Sequence, residues 1–466
     1  MSETPSDQGL ERKLGLFPLT NIVIANMIGA GIFTTSGLLM TNLKNPLIMM
    51  ILWLAGGAIA LCGALAYGEL GAAYPHAGGE YIFLSRLFHP LAGFLSGWVS
   101  FFVGFSAPIA ASAIGFAEYF SRAFPGTIGA EGAAAGWTQF AVKKILAIMV
   151  IVVFTLIHAR GIEFGAKVQN SLTLLKVGLV LALILAGFLS GKGTMAHLFQ
   201  GQDFSFGFKG WKVAGLSLMW IMFAYSGWNA SAYIGSEVKS PSRNIPRSLL
   251  LGTAIVGLLY LGLNLFYIYA LEPQSMSGVV SIGGAASRNL FGPGFEKILS
   301  VLISFALFSS LSAFIILGPR VYYSMARDGC FFRLTSYLHP VFKVPSKAIL
   351  LQGAISIVIV LSGSFDQILT YMGFSLGIFP ILAVIGIFKM RARKISVIRM
   401  PGFPLVPILY LLPAAAILVL SFFERPRESG IALLTVALGV PAYYLFKKKH
   451  QDRGKDAGFC EIPEKK

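Results

Sequence analysis

The chain has 466 residues, of which 56% are hydrophobic and only 12% charged, with 52 glycines and 38 phenylalanines. Soluble domains carry about a quarter charged residues. So sparse a polar complement excludes a water-soluble globule and points to an all-α polytopic membrane protein, in which glycine lets helices approach closely. The formal charge of +17 does not indicate nucleic acid, because the Lys and Arg residues sit in short loops between apolar runs rather than in one patch.

Met1 to Lys13 is polar and lacks the apolar core and small-residue cleavage site of a signal peptide, so the first apolar segment is expected to remain as a span. A crossing needs about 20 apolar residues. Twelve spans are expected, over 17–41, 46–73, 91–120, 138–158, 165–190, 212–237, 247–271, 295–325, 346–363, 365–388, 402–423 and 430–446. With residues 1–16 in the cytoplasm, the inside segments hold 25 of the 37 Lys and Arg residues and the outside segments 11. Both termini are therefore expected on the cytoplasmic side of the cell membrane, with 447–466 a disordered tail whose Lys447-Lys448-Lys449 acts as a stop signal. Cys62 lies in an apolar run, and Cys330 and Cys460 in cytoplasmic segments, so no disulfide framework is expected.

Two spans carry an internal break. The first reads Asn26-Met-Ile28-Gly29-Ala30-Gly31-Ile32-Phe33, and the sixth reads Phe223-Ala224-Tyr225-Ser226-Gly227-Trp228-Asn229. Gly29 lies roughly 18 Å of helix rise from Phe17, and Gly227 roughly 22 Å from Lys212, so both breaks fall near the bilayer midplane. One such glycine pair alone is ordinarily a helix-packing point. Two at matching depth, 198 residues apart, open the two five-helix halves 17–190 and 212–388. Irregular backbone at that depth survives only in a protein interior or a cavity wall, and paired breaks mark a transporter binding site. The freed N–H and C=O groups are those needed to hold a carboxylate and an ammonium.

Lys176 is the second departure from membrane rules. It stands roughly 16 Å inside the fifth span, too deep to reach the interface, and an ammonium there needs a polar interior. A structural tie to helix carbonyls and a functional role are both compatible with that position. Ser309, Ser310 and Ser312 lie near mid-depth in the eighth span; alone they would bond their own backbone, and with Lys176 they would form a buried polar cluster. Glu69, His158, Glu237 and Arg320 map near inner span ends, where interface anchoring is expected and gating ion pairs are the alternative. No HExxH, paired-Cys metal spacing, P-loop or catalytic triad is present, so neither metal, cofactor nor enzymatic activity is expected.

The chain resembles the amino acid–polyamine–organocation permeases, and within them the bacterial relatives of the L-type amino acid transporters. Four stretches carry the likeness: Asn26 to Phe33; Gly68-Glu-Leu-Gly with Tyr74-Pro75 and Gly78-Gly79-Glu80-Tyr81; Phe223 to Asn229 running into Ser236 to Arg247; and Arg320 with Ala326-Arg-Asp-Gly329. The resemblance implies the LeuT-like fold, a five-plus-five inverted repeat with broken helices 1 and 6, followed by helices 11 and 12 over 402–446. It implies an amino acid whose carboxylate meets the backbone of Gly29, Ala30, Gly31 and Ile32, and whose ammonium meets carbonyls near Ile28 and over Phe223, Ala224 and Tyr225, beside Ser226 and Gly227. Phe223 would be an aromatic gate and Asn229 a substrate contact. Lys176, facing Ser309 and Ser310, would stand where sodium-coupled members bind their ion. The external-loop cysteine that joins animal members to a heavy chain is missing from 121–137, so no disulfide-linked partner is expected.

The expected function is secondary transport or exchange of amino acids by alternating access. A polyamine or cationic amino acid permease would need acidic groups at mid-depth, and the sixth-span break contains none, which favours neutral substrates. A non-transporting amino-acid sensor would be expected to carry a soluble signalling domain, and beyond the tail this chain shows none.

Overall fold

Proline has no N–H to lose and a φ suited to the first helical turn. Pro46, Pro90, Pro241 and Pro293 each open a helix, the first beneath an Asn45 cap that accepts from the Ile48 N–H. The structure, a computed structural model, describes residues 10–124, 135–205, 207–279, 281–362 and 365–451. The first apolar segment forms α1 (Leu16–Met27) and α2 (Ala30–Leu43), parted at Ile28 and Gly29. Next come α3 (Pro46–Ala73) and a short α4 (Glu80–Leu87). The third segment runs as α5 (Pro90–Val99), a π-turn over Ser100–Gly104, and α6 (Ser106–Ala123). α7 (Ala135–His158), α8 (Ile162–Leu189) and α9 (Phe208–Ala224) follow. After Ala224 the chain leaves the helix and makes two 3-10 turns, Ala230–Tyr233 and Gly235–Glu237. The rest comprises α10 (Pro241–Ala270), α11 (Ile282–Phe291), α12 (Pro293–Arg327), α13 (Ser346–Ser362), α14 (Phe365–Ala392), α15 (Leu405–Glu424) and α16 (Pro426–Gln451).

Every expected apolar segment contains a helix. Among the described residues, nine stretches are long and apolar enough to cross a membrane. α9 falls short at 17 residues because its chain unwinds at Tyr225. The expected disordered tail is corrected in part: α16 continues through Lys447, Lys448 and Lys449 to Gln451, basic side chains in a last turn being favoured by the helix dipole. Residues 1–9, 125–134 and 452–466 lie outside the described residues. Cys330 is disulfide-bonded, against expectation, while Cys62 is free. Wide sequence separation between cysteines carries no signal of their proximity.

α1 lies at the centre, packed against α8, α10 and α12, and α2 packs on α9. Leu185, Leu258, Leu412 and Leu445 are exposed on outward faces, as lipid-facing positions should be.

The four inner-end polar residues are not interface anchors; each is buried in a protein network. Arg320 donates from Nε to Glu237 Oε1 at 2.9 Å, with both side chains 2% exposed or less. The Glu237 carbonyl accepts the N–H groups of Lys13 and Leu14, which ties the N-terminal strand-like segment to this pair. Glu69 accepts two bonds from Arg391, at 2.8 and 2.6 Å, with further donors in Ser396 and the Met400 N–H. His158 pairs with Ser312 at 2.7 Å. Pairing across 83 and 322 residues is invisible in a hydropathy pattern.

Removing one partner strands a buried charge. Glu237→Ala should cost about 3–5 kcal/mol, read as a lowered thermal midpoint in detergent, and Glu237→Ala with Arg320→Met should recover part of it. A single variant as stable as the parent would contradict this account of the pair.

Candidate functional site

Two interrupted helices meet at the centre of the fold. A Cβ at Gly31 would lie 2.8 Å from the Ala224 Cα, so α2 touches the end of α9 backbone to backbone. Gly227 has φ +99°, and a Cβ there would lie 2.5 Å from the Asn26 Cβ. Each glycine is thus required by its partner break, a requirement that joins the packing and binding readings of these residues. Tyr260 on α10 bridges both, its single O–H shared between the Met27 carbonyl at 2.5 Å and the Ala224 carbonyl at 2.9 Å. Nothing in the sequence analysis singles out Tyr260.

The breaks leave backbone groups exposed to the interior. α2 begins at Ala30 with no side-chain cap, so its first N–H groups have no partner within the helix. On the other side, Lys176 is fully buried and donates to the carbonyls of Ile28 at 2.5 Å and Ala25 at 3.3 Å, and to Ser310 Oγ at 2.8 Å. Ser310 also donates to the Ile28 carbonyl, at 2.6 Å. Ile28 therefore offers its carbonyl to Lys176 and Ser310 rather than to a ligand. Ser309 points elsewhere, to Thr173 Oγ1 and Gln169 Nε2, both at 3.1 Å, because adjacent helical side chains diverge by about 100°.

A cavity of about 110 Å³ runs from the breaks toward the 3-10 turns. Asn26, Phe223, Ser226, Gly227 and Asn229 line it, together with Glu80. A smaller one, about 20 Å³, is walled by Gly29, Ala30, Gly31, Phe223, Ala224 and Ser226, and shares Asn26 and Phe314 with the first. Phe223 thus stands between the two. Ile28, Ile32 and Tyr225 line neither; Ile32 is packed in the core and Tyr225 bonds to the Trp53 carbonyl. Asn26 is the clearest ligand-facing group the sequence analysis passes over. Its side chain is 2% exposed, its amide donates to the Ile22 carbonyl, and its Oδ1 has no partner among the described residues.

Glu80 was also missed, because it lies outside the spans. Its carboxylate accepts from Tyr67 at 2.7 Å and from Asn229 at 2.9 Å on Oε1, and from Ser96 at 3.4 Å on Oε2. Burial pushes the carboxyl above the usual range, opposed by bonds from Tyr67, Tyr233, Asn229 and Ser96. The sixth-span break contains no acidic group, and the fold brings one to Asn229 from outside it. The π-turn at Ser100–Gly104 likewise enters the cavity wall through Ser100 and Gly104, a placement common for such bulges. No group of His, Cys, Asp and Glu among the described residues could hold a metal ion.

Residues 14–440 match the family described as amino acid permease. The chain is 28% identical over 452 residues to the serine/threonine exchanger SteT of Bacillus subtilis, covering 95% of this chain and 98% of that one. It is 27% identical over 442 residues to the cystine/glutamate transporter of Homo sapiens, covering 94% and 85%. Over 449 residues it is 27% identical to the b(0,+)-type amino acid transporter 1 of Mus musculus, covering 94% and 88%.

The two glycines of the first break should behave differently. Gly31→Ala drives a Cβ into Ala224, an overpacking worth about 1–3 kcal/mol that separates the breaks. Gly29 is extended at φ −115°, and a Cβ there meets nothing closer than Ser310 Oγ at 3.7 Å. Thermal unfolding of the two purified variants should therefore show Gly31→Ala clearly the less stable. Equal losses would contradict the close-approach explanation.

Proposed function

The chain belongs to the amino acid permease family, and we propose that it is a secondary transporter or exchanger of neutral amino acids working by alternating access. It is a transporter, not an enzyme. The reading is carried by the two apposed helix breaks: the first α2 N–H groups and Asn26 Oδ1, without partners among the described residues, border the same small cavity. A helix N-terminus suits a carboxylate and a free amide oxygen suits an ammonium, which together are the invariant part of an amino acid. In this reading the carboxylate rests on the Ala30 and Gly31 backbone that walls the small cavity, Phe223 closes over the site, and the side chain extends toward Ser226, Gly227 and Asn229. The expected ammonium acceptor at Ile28 is replaced by Asn26, since Lys176 and Ser310 occupy the Ile28 carbonyl.

The same reading takes the twelve apolar segments as twelve crossings in a five-plus-five inverted repeat, 17–190 and 212–388, with helices 402–446 added and both termini in the cytoplasm of a cell-membrane protein. The matched breaks and the Lys and Arg asymmetry support it. Lys176 holds an ammonium against α1 and α12, so we assign it the place of a coupling cation, with Ser310 as its partner and Ser309 supporting from the adjoining Gln169–Thr173 pair. No disulfide-linked heavy chain is part of the proposal.

The test is counterflow into proteoliposomes preloaded with single amino acids. Neutral amino acids should drive accumulation of labelled neutral substrate several-fold above empty vesicles, while putrescine should not. Accumulation with putrescine alone would overturn the substrate class.

A further inference from the structure

The cavity has a charge that the transport reading does not use. Among its described lining residues Glu80 is the only acid, and none is Lys, Arg or His. Glu80 is 5% exposed and forms no ion pair with a described residue. Its hydrogen-bond partners, Tyr67, Ser96, Asn229 and Tyr233, are all neutral. The cations of the neighbouring helices have partners of their own. Across the fold, α12 presents Arg320, which is held by Glu237; α14 presents Arg391, held by Glu69, and Lys389, which lies over the Phe88 ring. α5 carries no charged side chain, α15 faces Glu80 with the Tyr410 phenol, and Arg86 of α4, itself engaged, is not among the groups that bond Glu80. On α4 the next residue, Tyr81, donates to Asp328 at 2.6 Å.

An ionised carboxylate in such a place must be balanced, and the partner must come through the cavity: a proton or a cationic ligand. The surrounding donors suit either state. Asn229 Nδ2 can only donate, and it bonds Oε1. Ser96 and Tyr233 carry hydroxyls, which can turn to accept. A proton on Oε2 therefore finds an acceptor without any side chain moving away.

We propose that Glu80 is the charge-balancing and specificity-determining residue of this cavity: a neutral amino acid is carried with a proton on Glu80, and a cationic amino acid competes with that proton for the carboxylate. The O–H bond on Oε2 forms as hydronium in the cavity gives up a proton and becomes water, and breaks when that proton passes back to water, which also happens when a cationic side chain takes its place. This rests on the transport reading, which the neutral counterflow signal tests separately. Acid favours the protonated form and the neutral side chain; alkali favours the ionised form and the cationic one.

The experiment is neutral amino acid counterflow in proteoliposomes of the full chain, at equal pH on both faces, with lysine as competitor at pH 6 and pH 8.5. In the parent protein lysine should inhibit about tenfold or more strongly at pH 8.5, the size expected for one protonation step. In Glu80→Gln, whatever its absolute rate, inhibition should be weak and the same at both pH values. Lysine-induced thermal stabilisation of the purified proteins gives the same comparison should Glu80→Gln not transport, and Glu80→Asp should keep the pH-dependent response. Neutral counterflow with no lysine inhibition at either pH overturns the proposal and leaves transport standing. So does a Glu80→Gln variant that responds to lysine as the parent does. Absence of neutral counterflow in the parent would instead remove the transport reading.

Discussion

The carbonyl of Ile28 is the point on which the central site turns. A helix broken at mid-membrane frees carbonyls that hydrocarbon cannot satisfy, at a cost of several kcal/mol each. Lys176 and Ser310 both donate to Ile28, and Lys176 also to Ala25. The lysine in turn would be prohibitively costly to bury without those acceptors. The break and the buried ammonium are therefore mutual conditions. With α1 ended at Met27 and held from the α8 and α12 side, the N-terminus of α2 is left open toward the cavity.

The second break is fixed by the first through backbone contact. Gly31 against Ala224 and Gly227 against Asn26 leave no space for a methyl group at either glycine, and Tyr260 bonds both segments at once. A displacement of one break must be followed by the other. Tyr225 and Tyr260 pack with each other at a ring separation of 5.0 Å and with Trp53 of α3 at 5.8 and 5.4 Å, which extends the same unit to α3 and α10. Lys176, by contrast, reaches into this unit from α8. In the proposed cycle that makes the ammonium the contact between a moving group of helices and the helices it moves against. Two further ion pairs, Arg320–Glu237 and Arg391–Glu69, tie other elements together, with both carboxylates buried and bonded to guanidinium groups.

Much of this was legible in the sequence, for identifiable reasons. Long apolar runs predict helices because a membrane imposes a length and leaves few alternatives. Paired glycines at equal depth predict breaks because no hydrocarbon-facing helix gains from them, and Lys176 stands out because charge at that depth is rare. What stayed hidden depends on approach between distant parts of the chain. Asn26 reads as an ordinary polar residue until its Oδ1 is seen to lack a partner. Glu80 sits between the second and third apolar ranges, on α4, and only the fold carries it to Asn229. Tyr260 is one aromatic among many in a span. The choice of Ser310 over Ser309 is decided by helix phase, which the serine cluster alone does not set.

The central claim is that the Lys176 ammonium stands in for a coupling cation. The direct measurement is counterflow of a neutral amino acid in sodium and in choline buffer, for the parent and for Lys176→Ala in matched proteoliposomes. The account predicts equal rates in the two buffers for the parent, and a severe loss in Lys176→Ala with insertion and monodispersity retained, because removing the buried charge also removes its desolvation cost. A strict sodium requirement in the parent, or full activity in Lys176→Ala, would contradict it.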